Sequence, residues 1–329
     1  MSRRARPLAA LAVVAALALG ACGGYDETVP KPPKPVAGGP VASATPPATC
    51  PDPTADPTRS YEPTGALPAP EDLPPGSTMA AIRKRGRLIA GVSADTYLLA
   101  SNNPFTGQIE GFDIDMVERV AKAIFGDPKA YELKVITAGD RLKVLQEGTV
   151  DIVVRNMTIN CARWQSIAFS AEYYRSGQKI LVRQDLADKG VDSVAELKGV
   201  SVCAPTGTSS LDNIREQAPD AVIKEAANHT GCLALFQQGT VAAITGDDTV
   251  LAGLAEQDPY AVVPPQETFT DEPYGIGVNK ENDDLVRFVN GVLERMRADG
   301  SWQESYARWL QPALNVPATQ PKPVYGRTP

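Results

Sequence analysis

The chain has 329 residues, 43% of them hydrophobic, and a formal net charge of −7 from 32 Lys and Arg against 39 Asp and Glu. That acidic balance argues against a non-specific nucleic-acid binder, which needs a basic surface. A mean hydropathy of −0.18 argues against a multi-span membrane protein. A single His and the lack of any CxxC spacing weaken a His-based triad or a zinc site, and no metal or cofactor is expected. The length suits two domains.

The chain opens with Arg3, Arg4 and Arg6 before an apolar run over residues 8–19 that ends in Gly20-Ala21-Cys22. A run of that length is short for a membrane span and has the layout of an export signal, residues 1–21. LGAC resembles the bacterial lipobox. The resemblance implies cleavage before Cys22, lipidation of Cys22, and an extracytoplasmic protein anchored to the cell membrane by its lipid. Residues 22–77 hold about half of the 29 prolines and read as a semi-rigid tether. A second Pro-rich segment, residues 312–329, is expected to lie on the surface as a tail.

Four further Cys in an exported chain suggest disulfides, and four allow three pairings. Cys203 lies in a strand-like run and Cys232 opens a helix-like run of the same sub-domain, so these two are expected to pair. Cys50 with Cys161 would then pin the tether to the globular part.

From Thr78 the chain becomes periodic. A short helix precedes a strand over 88–92. Residues 111–125 place Ile114, Val117, Val120, Ala121 and Ile124 on one helix face. A strand over 131–136, a helix over 140–148 closed by Gly148, and a buried strand over 151–154 follow. The alternation then restarts: strands over 179–182, 200–203, 222–225 and 241–244, with helices over 194–197, 210–217 and 232–238 between them. Residues 283–311 read as two amphipathic helices separated by Gly300. Repeated βα alternation in two runs predicts an α/β protein of two lobes.

GFDIDMVERVAKAI resembles the signature of the family 3 extracellular solute-binding proteins, the amino-acid receptors of ABC importers. LQEGTVDIV, MTINCARWQSIAFSAEYY, LKGVSVCAPTGTSSL, GDDTVLAGL and WQESYARWL resemble further pieces in the family's order. The whole layout is similar to actinobacterial glutamine- or glutamate-binding lipoproteins. The resemblance implies a type II periplasmic-binding-protein-like fold with the ligand in the cleft between lobes. Lobe 1 would comprise residues 78–181 plus 275–311 and lobe 2 residues 182–274, with crossings near 181–183 and 274–277. It also implies a monomeric binder, not an enzyme, that hands a free amino acid to a membrane permease. An amino-acid sensor signalling to a membrane partner would carry the same residues, and a dehydratase on the same fold is a third reading.

A bound amino acid needs a guanidinium fork and N–H groups for its α-carboxylate, and a carboxylate with carbonyl or hydroxyl acceptors for its α-ammonium. The family's T-x-T-x-x-R motif appears as Thr158 to Arg163, departing from the common pattern at Asn160 and Ala162. By that match Arg163 grips the α-carboxylate. Thr158 offers its N–H to the carboxylate and its hydroxyl to the ammonium, and the Asn156 carbonyl also faces the ammonium. Residues 206–210 (TGTSS) precede a helix, whose start suits an anion. The match places the Thr208 and Ser209 N–H groups on the α-carboxylate. It makes Asp247 the partner of the α-ammonium, with Asp248 a helix cap. Arg141 and the lone His229 resemble the side-chain contacts of members that bind acidic amino acids. Ser93 stands where glutamine receptors often carry Asp, although Asp95, Thr96 and Tyr97 could restore a polar wall. Glutamate or aspartate is therefore expected ahead of glutamine or asparagine.

Overall fold

The protein is described from a computed structural model over residues 56–328. The expected signal segment, Cys22 and Cys50 lie outside the described residues. Two sheets organise the rest. The first has the order Tyr131–Val135, Leu88–Val92, Ile152–Val153, Gly277–Asn279, Ile167–Phe169. Leu88–Val92 pairs in parallel with both neighbours, and Gly277–Asn279 is antiparallel to both of its own. Leu88, Ala90 and Val92, which alternation puts on one face of this central strand, are wholly buried. The helix Phe112–Phe125 lays Ile114, Val117, Val120, Ala121 and Ile124 into the same core, on the face expected from their spacing. It starts at Gly111, whose φ is +142° and where a Cβ would stand 2.3 Å from the Leu99 carbonyl oxygen, so no larger residue fits this close approach.

The second sheet runs Val222–Ala226, Ser201–Pro205, Ala243–Asp247, Tyr174–Arg183, Ala261–Val262, with Thr270–Tyr274 also paired to Tyr174–Arg183. Strand alternation divides its residues between two cores. Ile180 and Val182 join Val202, Leu211 and Ile214 on one face, while Leu181 joins Cys203, Cys232, Phe236 and Ile244 on the other. A disulfide between Cys203 and Cys232, the pair expected from the sequence, ties the strand Ser201–Pro205 to the helix His229–Gln237 with a Cα separation of 5.5 Å. Cys161 is also disulfide-bonded, and its expected partner Cys50 lies outside the described residues.

The lobes are joined by two antiparallel strands. Tyr174–Arg183 pairs its first half with Thr270–Tyr274 and its second half with Ala243–Asp247. The first crossing therefore falls before the expected 181–183: Leu181 and Val182 already pair with Ile244 and Ala243 inside the second sheet. The ten-residue strand runs straight through, and no break in its sequence marks where one lobe ends.

Residues 56–77 differ from the expected tether. They form a strap bound to the first lobe. Arg59–Ser60 pairs in parallel with Val324–Tyr325, so the strap and the C-terminal tail share a two-stranded sheet. The wholly buried Asn290 donates to Ser60 Oγ at 2.9 Å and to the Tyr61 carbonyl at 2.7 Å, while its own Oδ1 accepts from the Ala171 N–H. Tyr61 is buried edge-on to Trp164, and Arg327 of the tail stacks on the Trp164 ring at 3.7 Å. Gln320 reaches the Leu293 carbonyl at 2.9 Å. The tail runs over the surface, with Gln320 alone buried among its described residues, and these contacts pack it against the first lobe. Among the described residues no helix is long and apolar enough to cross a membrane.

Candidate functional site

The expected grip residues converge where the two crossing strands meet the cleft. The short helix Cys161–Trp164 is capped by Asn160, whose Oδ1 accepts from the Arg163 N–H at 2.9 Å. The departure from the family pattern at this position therefore serves as an N-cap. Arg163 is 7% exposed, and its Nη1 donates to the Thr158 carbonyl at 2.6 Å. Burial pulls its pKa down, while Glu272 and Asp247 pull it back up, which places both carboxylates in its field.

Opposite it, Asp247 ends the strand Ala243–Asp247 and is 3% exposed. Its Oδ2 accepts from the Tyr274 hydroxyl at 2.7 Å, and its buried Oδ1 has no partner among the described residues. Burial first, then the negative charge of Glu272, pushes its pKa up to about 7, with Tyr274 and Asn156 pulling back. Asn156 holds a left-handed backbone, φ +34°, which Asn tolerates better than most residues. Its N–H is fixed by the Asp113 carboxylate at 2.9 Å, and its own buried Oδ1 is again without a partner. Asp113 is itself held by the Tyr173 hydroxyl, and burial lifts its pKa to about 6. Two orphaned buried oxygens in one site are costly unless a donor arrives.

Three guanidiniums line the same region. Arg141, Arg155 and Arg163 are 3%, 4% and 7% exposed. Among the described residues none of them has a carboxylate within ion-pair distance. Arg141 donates to carbonyls alone: Ala138 at 2.7 Å, Arg155 at 3.3 Å, Asn156 at 3.4 Å, and Gly207 of the other lobe at 3.0 Å. Its Nη2 carries a second N–H beyond the one given to Gly207. Burial, then the like charges of Arg163 and Arg155, pull its pKa well down. Arg155 was not singled out from the sequence. It donates to the Ile136 carbonyl at 3.1 Å and, across the cleft, to Asn228 Oδ1 at 2.9 Å. Its signal is an arginine inside the otherwise buried run that leads to Asn156.

Of the remaining expected residues, Thr208 caps the helix Ser209–Gln217, accepting from the Leu211 N–H at 3.2 Å. The cap takes the Leu211 N–H and the Thr208 carbonyl the Asp212 N–H, which leaves the Ser209 and Ser210 N–H groups at the helix start for an anion. Ser93 is buried and donates to Asp95 Oδ1 at 2.7 Å. Asp95 Oδ2 in turn takes hydrogen bonds from Asn228 and Thr230 of the other lobe. His229 is placed differently from a ligand-facing cation. Its Nε2 meets the Thr245 carbonyl at 3.2 Å, so Nε2 carries the proton, and the ring lies against Gly246, where a Cβ would come within 2.4 Å of it. Burial, opposed by that hydrogen bond and aided by Arg155 and Arg141, takes its pKa down to about 4. The ring is neutral at pH 7 and buttresses the strand that ends in Asp247.

Glu272, also unforeseen, completes the site. It lies on the crossing strand Thr270–Tyr274 and is 1% exposed. Its Oε2 accepts from the Thr158 and Ser209 hydroxyls at 2.5 and 2.7 Å, and its Oε1 from Asn213 and Thr270 at 2.9 and 2.8 Å. Among the described residues no cluster of His, Cys, Asp and Glu could hold a metal ion.

Two α/β lobes on two crossing strands, with a cleft that sets buried guanidiniums against unpaired acceptors, define a solute-binding protein of the type II periplasmic class. The chain belongs to the bacterial extracellular solute-binding proteins, family 3, whose profile matches residues 88–312. It is 37% identical over 235 residues to the ABC transporter glutamine-binding protein GlnH of Bacillus subtilis, covering 71% of this chain and 85% of that one. It is 31% identical over 239 residues to the glutamate-binding protein GluB of Corynebacterium glutamicum, with 69% and 80% covered. The crystal structure of an ancestral amino acid-binding protein, a precursor of cyclohexadienyl dehydratase, superimposes with a TM-score of 0.65 at 34% identity, with 71% and 99% covered.

Proposed function

We propose that the protein is a membrane-anchored extracytoplasmic receptor for a free polar amino acid, glutamate or aspartate first and glutamine or asparagine next, delivering it to an ABC importer. One observation carries this reading: Asp247 Oδ1 and Asn156 Oδ1 are buried without a hydrogen-bond partner among the described residues, while Arg141 and Arg163, buried and with Asp247 in their field, have no carboxylate within ion-pair distance. A zwitterion answers both, with its ammonium on Asp247 and its α-carboxylate on Arg163 and the start of the helix Ser209–Gln217. One guanidinium suffices for one α-carboxylate. Arg141 is left over, and a second carboxylate on the ligand would neutralise it. The relatives named above, one for glutamine and one for glutamate, bracket the same side-chain length. The two relatives named above are binding proteins, which favours a binder over an enzyme.

Arg141 tests the side-chain assignment. Arg141→Ala is expected to weaken glutamate and aspartate binding at least tenfold more than glutamine binding, since a charge-assisted hydrogen bond is worth about 1.5–3 kcal/mol and a neutral one less. Calorimetry with the four ligands reads this, and an equal loss for all of them means Arg141 does not read the side chain.

The anchor part of the reading rests on the LGAC sequence ahead of Cys22. Cys22→Ala is expected to move the protein from the membrane fraction to the medium. Retention in the membrane contradicts the anchor.

A further inference from the structure

We propose that Glu272 is a positioning residue that fixes the direction of the Thr158 and Ser209 hydroxyls, and so makes the α-end of the cleft select for a protonated amine. The inference deepens the amino-acid reading above and rests on it. A carboxylate has about four acceptor positions, and Glu272 has four donors: Thr158 and Ser209 on Oε2, Asn213 and Thr270 on Oε1. Each hydroxyl owns one hydrogen. Thr158 Oγ1 and Ser209 Oγ also lie 3.0 Å apart, and one hydrogen could have bridged them. The Glu272 carboxylate oxygen, nearer to both at 2.5 and 2.7 Å, takes both hydrogens.

The two hydroxyls are then left with lone pairs alone. Thr158 comes from the first lobe and Ser209 from the second, so the pair forms one acceptor surface only when the lobes are together. An ammonium placed there finds acceptors from Thr158, Ser209, Asp247 and Asn156. A ligand lacking the amine finds lone pairs facing its own oxygens. Glu272 acts through these neighbours and not by touching the ligand. It also adds a negative charge beside Asp247, which raises the Asp247 pKa.

The test compares an amino acid with the same molecule lacking its amine. Purified wild type, Glu272→Gln and Ser209→Ala are titrated with L-glutamate and L-aspartate, and with glutarate and succinate as their deaminated counterparts. In Glu272→Gln, Asn213 and Thr270 still donate to the amide oxygen, so its NH2 faces the hydroxyls and their hydrogens turn away. The tighter of the two amino acids is expected to lose at least tenfold in affinity while its counterpart loses none. The pH midpoint of binding should also move down, because Asp247 has lost a like-charged neighbour. A folded Glu272→Gln variant that binds the amino acid within threefold of wild type overturns the inference. Should that variant fail to fold, Ser209→Ala decides, since it keeps the backbone N–H and removes one acceptor. At least a threefold loss for the amino acid alone supports the inference, and an unchanged affinity overturns it. Wild type that binds neither amino acid, nor their amides, overturns the amino-acid reading itself, which is a different result from either variant behaving like wild type.

Discussion

Arg163→Met should reduce affinity for the bound amino acid by about 3 kcal/mol or more, on the order of 10²-fold, with little change in melting temperature. The guanidinium is buried, and among the described residues its one hydrogen bond goes to the Thr158 carbonyl. Met keeps the stem and much of the volume but removes the fork that an α-carboxylate needs. The lost partner would be an ion out of water, where truncating one side of a charge pair costs most. Stability should change little, because removing a buried cation that has no bonded carboxylate also removes its desolvation cost. Calorimetry and a thermal melt on the same sample read both quantities. A variant with intact binding would show that the anion sits elsewhere.

Asp247→Asn should be equally damaging to binding, yet should stabilise the empty protein. The carboxyl is wholly enclosed and keeps one oxygen without a donor, so its ionised form is disfavoured and its pKa is raised to about 7. The unfolded carboxyl has its ordinary value near 3.8. Between these two values the folded state holds a proton that the unfolded state has lost. The contribution of this group to stability is therefore greatest below about pH 4 and falls as pH rises towards 7. Asn removes that slope and the buried charge. The wild type should show the linked effect in binding. An ammonium favours the ionised carboxylate, so binding lowers the Asp247 pKa and releases protons. Affinity should then climb as pH rises from 5 to 7 and flatten above. Titrations in buffers of different ionisation enthalpy measure the release. A pH-independent affinity over that range, or an Asp247→Asn variant that binds normally, would remove Asp247 from the site.

The two lobes are legible in the sequence, and the proposed grip is read from it, because both are written locally. Helix Phe112–Phe125 shows its buried face at helical spacing, and the paired cysteines stand in neighbouring elements of one sub-domain. The turn through Thr158 and Arg163 carries its chemistry within six residues. What escaped reading depends on residues far apart in the chain. Glu272 draws its four donors from Thr158, Ser209, Asn213 and Thr270, and nothing around position 272 marks it as a hub. The strap over residues 56–77 has no periodicity because single anchors hold it: Ser60 and Tyr61 on Asn290, and the Trp164 indole N–H on the Pro57 carbonyl. His229 is half-buried, and its Nε2 is taken by the Thr245 carbonyl. Its surroundings and the charges of Arg155 and Arg141 favour the neutral ring against that hydrogen bond, and they lie far from it in the chain. Arg141 is where expected, but its first partners are backbone carbonyls of both lobes.

The central claim is that this cleft binds a free polar amino acid through opposite charges at its two ends. Calorimetric titration of the purified protein near pH 7.5 with L-glutamate, L-aspartate, L-glutamine and L-asparagine tests it most directly. One-site, saturable binding, tighter for the acidic pair and lost in Arg163→Met, is the predicted result. Absence of binding for all four, or binding that Arg163→Met leaves unchanged, would contradict it.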